Sequence, residues 1–142
     1  MTYQELKAER QAKYEKAVKN NGVFFAFSTA QLEEGKKEYP LLEGDKYVSI
    51  GAGGFMRKSQ VDSYIADCEA VEQWFKLENA KLKKDKAERE KAILHELCNY
   101  ECFYGGDIFG GDAWSILKKQ GYTKQEVMSV YKKNYQLITA SL

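Results

Sequence analysis

The chain has 142 residues, of which 44% are hydrophobic and 13% aromatic, and its 22 basic side chains nearly balance 21 acidic ones for a net charge of +1. That length and apolar content fit one domain with a packed core and exclude a disordered chain. The charge balance excludes the basic excess of a dedicated duplex binder and the acidic excess of a DNA mimic, so sequence-specific DNA binding is not expected.

Residues 2–20 read as a first helix. Thr2 and Glu5 have capping-box spacing, and Leu6, Tyr14, Ala17 and Val18 would line one face. Most of the segment is charged, so this helix is expected to be peripheral or to serve an interface. Asn20-Asn21-Gly22 ends it, because Asn and Gly tolerate left-handed backbone angles. Val23-Phe24-Phe25-Ala26-Phe27 follows as a short aromatic strand, and its unbroken apolarity predicts cover on both faces. Ser28 with Gln31 opens a short helix to about Lys37, and Pro40 and Gly44 place a loop over 39–45.

Lys46 to Ile50 is a second strand. Gly51-Ala52-Gly53-Gly54 is a turn, and Phe55-Met56-Arg57 returns antiparallel. Ser59 and Asp62 mark the next helix start. Val61, Tyr64, Ile65, Cys68, Val71 or Glu72, and Phe75 recur at spacings of three and four, the stripe of an amphipathic helix. Residues 76–91 keep helical propensity but lose the stripe, and hold seven basic and four acidic side chains. They predict a solvated helix or a helix-loop-helix corner.

The stripe resumes with Ile93, Leu94, Leu97, Tyr100 and Tyr104 and stops at Gly105-Gly106. Asp112 would cap a short helix to Lys119 that buries Trp114 and Leu117, and Gly121 stops it. Thr123 and Glu126 form the clearest capping box in the chain and open a last helix carrying Val127, Val130, Tyr131 and Leu137. The fold expected is α+β: one mostly helical domain over 1–142, with a two- or three-stranded antiparallel sheet in its N-terminal half.

Three cysteines, Cys68, Cys98 and Cys102, are too few and too odd in number for a disulfide framework. No apolar run follows Met1 and no window reaches the length of a membrane span, so neither a signal peptide nor a membrane association is expected. A cytoplasmic protein fits these features.

Five constellations bear on chemistry. On one helix His95, Cys98 and Cys102 would share a face, and imidazole and thiolates are zinc ligands. Asn99 stands where a metalloprotease helix needs its second His, and no second His exists to complete a tetrahedral site. Cys98 as nucleophile with His95 as base, and Glu96 beside them, would need an orienting group that the sequence does not reveal. The turn Gly53-Gly54-Phe55 with Arg57 and Lys58 before a helix could bring backbone amides and positive charge to a phosphate, yet lacks the Walker ending. The repeated Gly-Gly-Asp at 105–107 and 110–112 is short of the six to eight oxygens calcium takes. Ten Tyr, seven Phe and two Trp suggest aromatic anchors at an interface, self-association included. No metal, no cofactor and no catalytic residue is expected.

Three segments together resemble a family of small, uncharacterised proteins encoded by bacteriophages and other mobile elements of Gram-positive bacteria. They are Phe24 to Ser28 with Gln31 and Glu34-Gly35; Tyr47 to Phe55 with Arg57-Lys58; and Glu96 to Glu101 with Asp107 and the stretch from Gly121-Tyr122-Thr123 to Val127. The family pattern carries His where this chain has Tyr100, which weakens a metal or catalytic reading there. The resemblance implies a phage-like origin; by analogy with small phage accessory proteins, the leading expectation is a non-enzymatic protein of the bacterial cytoplasm that binds a host protein, such as a defence component, and inhibits it. Its contact surface would use exposed aromatics with either the charged 76–91 segment, through Lys81, Lys83, Lys84, Lys86 and Arg89, or the 51–58 turn. The first alternative is a nucleotide or cyclic-nucleotide sequestering protein using Gly53, Gly54, Phe55, Arg57 and Lys58. The second is an enzyme built on His95 and Cys98.

Overall fold

The structure, a computed structural model, describes residues 1–99 and 108–140. Tyr100, Cys102, Tyr104 and the first Gly-Gly-Asp lie outside the described residues. The chain divides into two units, Ala8–Phe75 and Met1–Lys7 together with Lys76–Leu142. The helices are α1 (Tyr3–Asn20), α2 (Thr29–Glu38), α3 (Val61–Leu82), α4 (Lys86–Asn99), α5 (Asp112–Lys119), α6 (Lys124–Lys133) and α7 (Tyr135–Ala140). The strands are β1 (Phe24–Phe25), β2 (Tyr47–Gly51) and β3 (Gly54–Arg57), in an antiparallel sheet of order β1-β3-β2. The α+β class and the position of the sheet are those read from the sequence. No helix among the described residues is long and apolar enough to cross a membrane.

Within the unit Ala8–Phe75, β1 is an edge strand of two residues, shorter than the expected Val23–Phe27. Phe24 pairs with Phe55 and is buried, whereas Phe25 pairs with Gly54 and is 53% exposed. The expected two-sided cover is therefore wrong. An edge strand alternates, and its apolar run reports only one covered face. Phe24 is enclosed by Tyr39, Tyr47 and Phe55, with ring centroids about 6 Å away, and by the backbone of Gly35 in α2. Ser28 caps α2 by accepting from the Gln31 amide at 3.2 Å, while the Gln31 side chain accepts from Phe27 N at 2.8 Å. Tyr47 OH donates to the Tyr39 carbonyl, tying β2 to the end of α2.

The β2–β3 reversal is a two-residue turn, Ala52-Gly53, with φ of 52° and 79°. Positive φ at both positions matches the right-handed twist of a hairpin. A bulge at Ile50 precedes it. The start of α3 is held from a distance: the Asp45 carboxylate accepts from Ser59 N and Ser59 Oγ at 3.1 and 2.6 Å. The expected stripe on α3 is only partly inward, since Val71 and Phe75 are buried but Ile65 is 49% exposed.

The polar helix α1 docks in this unit chiefly through cations. The Arg10 guanidinium lies 4.4 Å from the centroid of Phe75, and Lys13 Nζ lies 4.7 Å from that of Trp74. Arg10 and Tyr14 both donate to Glu72 on α3. Burial alone would raise the Glu72 pKa. The hydrogen bonds from Tyr14 and Arg10, with the Arg10 charge, outweigh it and leave the carboxyl below its ordinary value.

In the other unit, the core gathers Ile93 and Leu97 of α4, Ala113 and Leu117 of α5, Val127 and Val130 of α6, Ile138 of α7, and Ile108 and Tyr122 between helices. Thr123 and Glu126 form the expected capping box. The expected last helix breaks at Asn134, whose side chain donates to the Val130 carbonyl at 3.0 Å. Beyond it Ile138 is buried and Leu137, expected inside, is 58% exposed. Gly111, not Asp112, is the N-cap of α5, and Trp114 is half-buried.

Candidate functional site

The glycine hairpin carries an apolar rim. Phe27 is 78% exposed, Phe25 53% and Ile50 41%. A Cβ on Gly53 would stand 2.7 Å from Phe27 Cζ, and one on Gly54 would stand 2.8 Å from Ile50 Cγ1. Both side chains therefore rest on glycine backbone, and Ala26 N donates to Gly53 O at 2.9 Å beneath them. The rim is thus a preformed feature of a hydrogen-bonded turn. The residues proposed for phosphate are spread along this unit. Phe55 stacks inward on Phe24, Arg57 lies over the Tyr39 ring at 5.7 Å at the far end of β3, and Lys58 borders a separate depression with Leu42 and Asp45. The structure does not bring Arg57 or Lys58 to Gly53 and Gly54.

The charged corner is the junction of α3 and α4 around residues 83–85. Its five named cations divide by environment. Lys83 is half-buried, donating to the Gln120 carbonyl at 2.8 Å and lying 4.5 Å from the centroid of Tyr122. Arg89 donates to the Lys83 carbonyl at 3.1 Å and approaches Glu126 at 3.8 Å. These two fasten the corner to the helices below it. Lys81 pairs with Glu78 at 3.0 Å, and Lys84 and Lys86 project into solvent.

A third region joins α4 to the first turn of α1. Glu96 lies on the buried face of α4 with Ala92, Ile93 and Leu97, and its residue exposure is 0%. Its Oε1 accepts from Tyr3 OH at 2.7 Å and from Lys7 Nζ at 2.8 Å. Gln120 Nε2 donates to the same Tyr3 oxygen at 2.8 Å. Burial pushes the Tyr3 phenol well above its ordinary pKa, and burial likewise raises Tyr122 to about 12. This is a fixed hydrogen-bond network built around a buried carboxylate. Sequence reasoning named Glu96 but missed Tyr3 and Lys7; their spacing of four on an N-terminal helix is too common a pattern to reveal a partner some ninety residues away.

Beside the network, His95 and Cys98 line one cavity of about 490 Å3 with Tyr3, Gln4, Glu88 and Leu94. The His95 ring meets Tyr3 edge-on at 5.5 Å, and its Nδ1 lies 3.4 Å from Gln4 Nε2. Cys102, the third member of the sequence cluster, lies outside the described residues. Among the described residues no three His, Cys, Asp or Glu side chains form a group that could hold a metal ion.

Neither a curated protein nor a solved structure matches the chain. Residues 3–137 match the model of DUF7659, a family of unknown function, and the chain belongs to that family.

Proposed function

We propose that this chain is a non-enzymatic binding protein that acts by docking onto another protein, with the Phe25, Phe27 and Ile50 rim as its contact surface. The observation that carries the reading is the exposure of two phenylalanines and an isoleucine around one rigid hairpin. Clustered exposed aromatics mark interaction sites, and interface energy concentrates in such anchors. Their exposed parts amount to less than two full side chains, so burying them would contribute roughly 3–5 kcal/mol. The turn is already ordered, so little of that is lost to conformational entropy on docking.

In this reading the partner is a host protein, a component of a bacterial defence system, and the chain is a phage-encoded accessory inhibitor working in the bacterial cytoplasm. The resemblance of three sequence segments to mobile-element proteins supports that part. Exposed Lys81, Lys84 and Lys86 would steer association more than they hold it. The nucleotide alternative draws less from the geometry, because Gly53 and Gly54 lie under Phe27 and Ile50 and Arg57 is turned to Tyr39.

The test is capture from a bacterial lysate, identification of the protein retained, and calorimetry with that protein purified. The double variant Phe25→Ser with Phe27→Ser should weaken binding at least a hundredfold while circular dichroism stays unchanged, and light scattering of the chain alone should separate this from self-association. Unaltered affinity in the rim variant would refute the assignment.

A further inference from the structure

We propose that the free edge of β2 pairs with the same edge of a second copy of this chain, in an antiparallel two-fold register centred on Val48. The inference goes beyond the hairpin rim and does not rest on it. β2 forms one border of the sheet, with β3 on a single side of it. Lys58 N donates to the Lys46 carbonyl at 2.7 Å, which makes Lys46 and Lys58 a hydrogen-bonded pair. Bonded and non-bonded pairs alternate along an antiparallel ladder. Val48 opposite Met56 is therefore bonded, and Tyr47 opposite Arg57 and Ser49 opposite Phe55 are not. The main-chain N–H and C=O of Tyr47 and Ser49 thus point away from β3, and no described residue pairs with them.

An outward row of backbone donors and acceptors is a template for another strand. The usual protections are missing over this stretch. Tyr47 to Ile50 holds no proline and no charge, Ser49 and Ile50 are exposed, and Tyr47 and Val48 are only half-buried. The edge is also preorganised. Tyr47 OH is tied to the Tyr39 carbonyl, and Met56 beside Val48 is fully buried, so the strand needs no ordering before it pairs.

The sequence of the edge selects the occupant. With Val48 on the axis, Tyr47 faces Ser49 of the copy and Ser49 faces Tyr47 of the copy, so every outward group is bonded. Moving the axis to Tyr47 sets Ser49 opposite Asp45, whose N–H already bonds the Leu42 carbonyl. Moving it to Ser49 sets Tyr47 opposite Gly51, beyond the bulge. On the Val48 axis the two valines form the close, non-bonded pair, about 4.5 Å between Cα atoms. Lys46 falls opposite Ile50, so no like charges face each other and the lysine stem covers the exposed isoleucine. The assembly closes at two copies, because the opposite edge, β1, is only two residues long.

A dilution series of the 15N-labelled chain tests this between about 10 μM and about 1 mM, the range in which a small interface associates. Sedimentation equilibrium should show the mass doubling. The Tyr47 and Ser49 amide resonances should shift with concentration, and their exchange with solvent should slow at least tenfold at the high end. Val48→Lys and Val48→Glu each set like charges against each other on the axis and should weaken self-association at least tenfold. An equimolar mixture of the two should associate again, as a heterodimer. The proposal is overturned if the chain stays monomeric throughout, if the shifts fall on Phe25 and Phe27 instead of Tyr47 and Ser49, or if the mixture associates no better than either variant alone. Should the Val48 variants fail to fold, the dilution series on the unaltered chain decides the matter by itself.

Discussion

Gly35→Ala sets two effects of known size against each other. Gly35 sits inside α2, where alanine is favoured over glycine by about 1 kcal/mol. A Cβ there would stand 2.7 Å from Phe24 Cγ and closer still to the ring edge. Phe24 is 8% exposed and stands among Tyr39, Tyr47 and Phe55, so its ring cannot swing aside without moving an aromatic neighbour. Overpacking of that kind costs about 1–3 kcal/mol, and the confinement of the ring puts this case at the upper end. Packing wins, and the variant should lose about 2 kcal/mol, a fall in Tm of roughly 4–8 °C for a chain of 142 residues. Urea denaturation followed by circular dichroism reads the loss. Phe24→Leu should then relieve the overlap, so that adding Gly35→Ala to the Phe24→Leu variant does less harm than adding it to the unaltered chain, by about 1 kcal/mol or more. A neutral or stabilising Gly35→Ala in the unaltered chain would show that helix propensity wins and that the ring does not press on the helix.

Three further outcomes follow from the same geometry. Tyr3→Phe removes the hydroxyl between Glu96 and Gln120 and should cost about 2–3 kcal/mol by denaturant midpoint, and a loss under about 0.5 kcal/mol would contradict the network. Arg10→Met keeps the unbranched stem but loses the stack on Phe75 and the pair with Glu72; it should cost about 1–2 kcal/mol in the same assay, with Arg10→Lys in between and no change on Arg10→Met refuting the cationic docking of α1. In acid, Asp45 is held below its ordinary pKa by the Ser59 hydroxyl first and by backbone N–H groups next, and Glu72 is also lowered. A depressed carboxyl stabilises fully above its unfolded pKa, near 4, and that contribution drains as pH falls through the folded value. Asp45→Asn with Glu72→Gln should therefore flatten the stability profile below about pH 4, and a profile as steep as that of the unaltered chain would refute the assignment.

What the sequence made legible was periodicity and punctuation. The stripe at Ile93 and Leu97, the capping box of Thr123 and Glu126, and the glycine reversal before Phe55 all reached the structure as read. Each is set by neighbours within a few residues. The failures share the opposite property. The apolar run at Val23 to Phe27 says nothing about which face an edge strand will expose, and that depends on the register with Phe55 and Gly54. The charges of α1 pointed to a peripheral helix or one serving an interface, and did not reveal that Arg10 and Lys13 are seated on Phe75 and Trp74, some sixty residues on. Hydropathy counts a guanidinium as polar and cannot register an aromatic face beneath it. Among the candidate sites, the charged corner was visible as composition, but which cations are exposed was decided by Gln120 and Tyr122.

The same reasoning bears on why the hairpin is suited to contact. An exposed phenylalanine is ordinarily a mobile side chain, and fixing it on binding is unfavourable. Here Phe27 lies against Gly53, whose φ of 79° few side-chain-bearing residues accept and whose missing Cβ leaves room for the ring. One glycine thus shapes the turn and seats the aromatic. Gly54 does the second of these for Ile50, beneath the bulge that lifts it. A loop selected only to reverse the chain needs glycine at the turn, but it does not need apolar side chains laid over those glycines and left in solvent. Their placement is a local conflict with burial that the rest of the sheet does not share, since Phe24 and Met56 are buried and Phe55 is half-buried. A rigid turn that holds apolar side chains in solvent is a local conflict of the kind found at functional sites, which supports the proposed contact role of the rim.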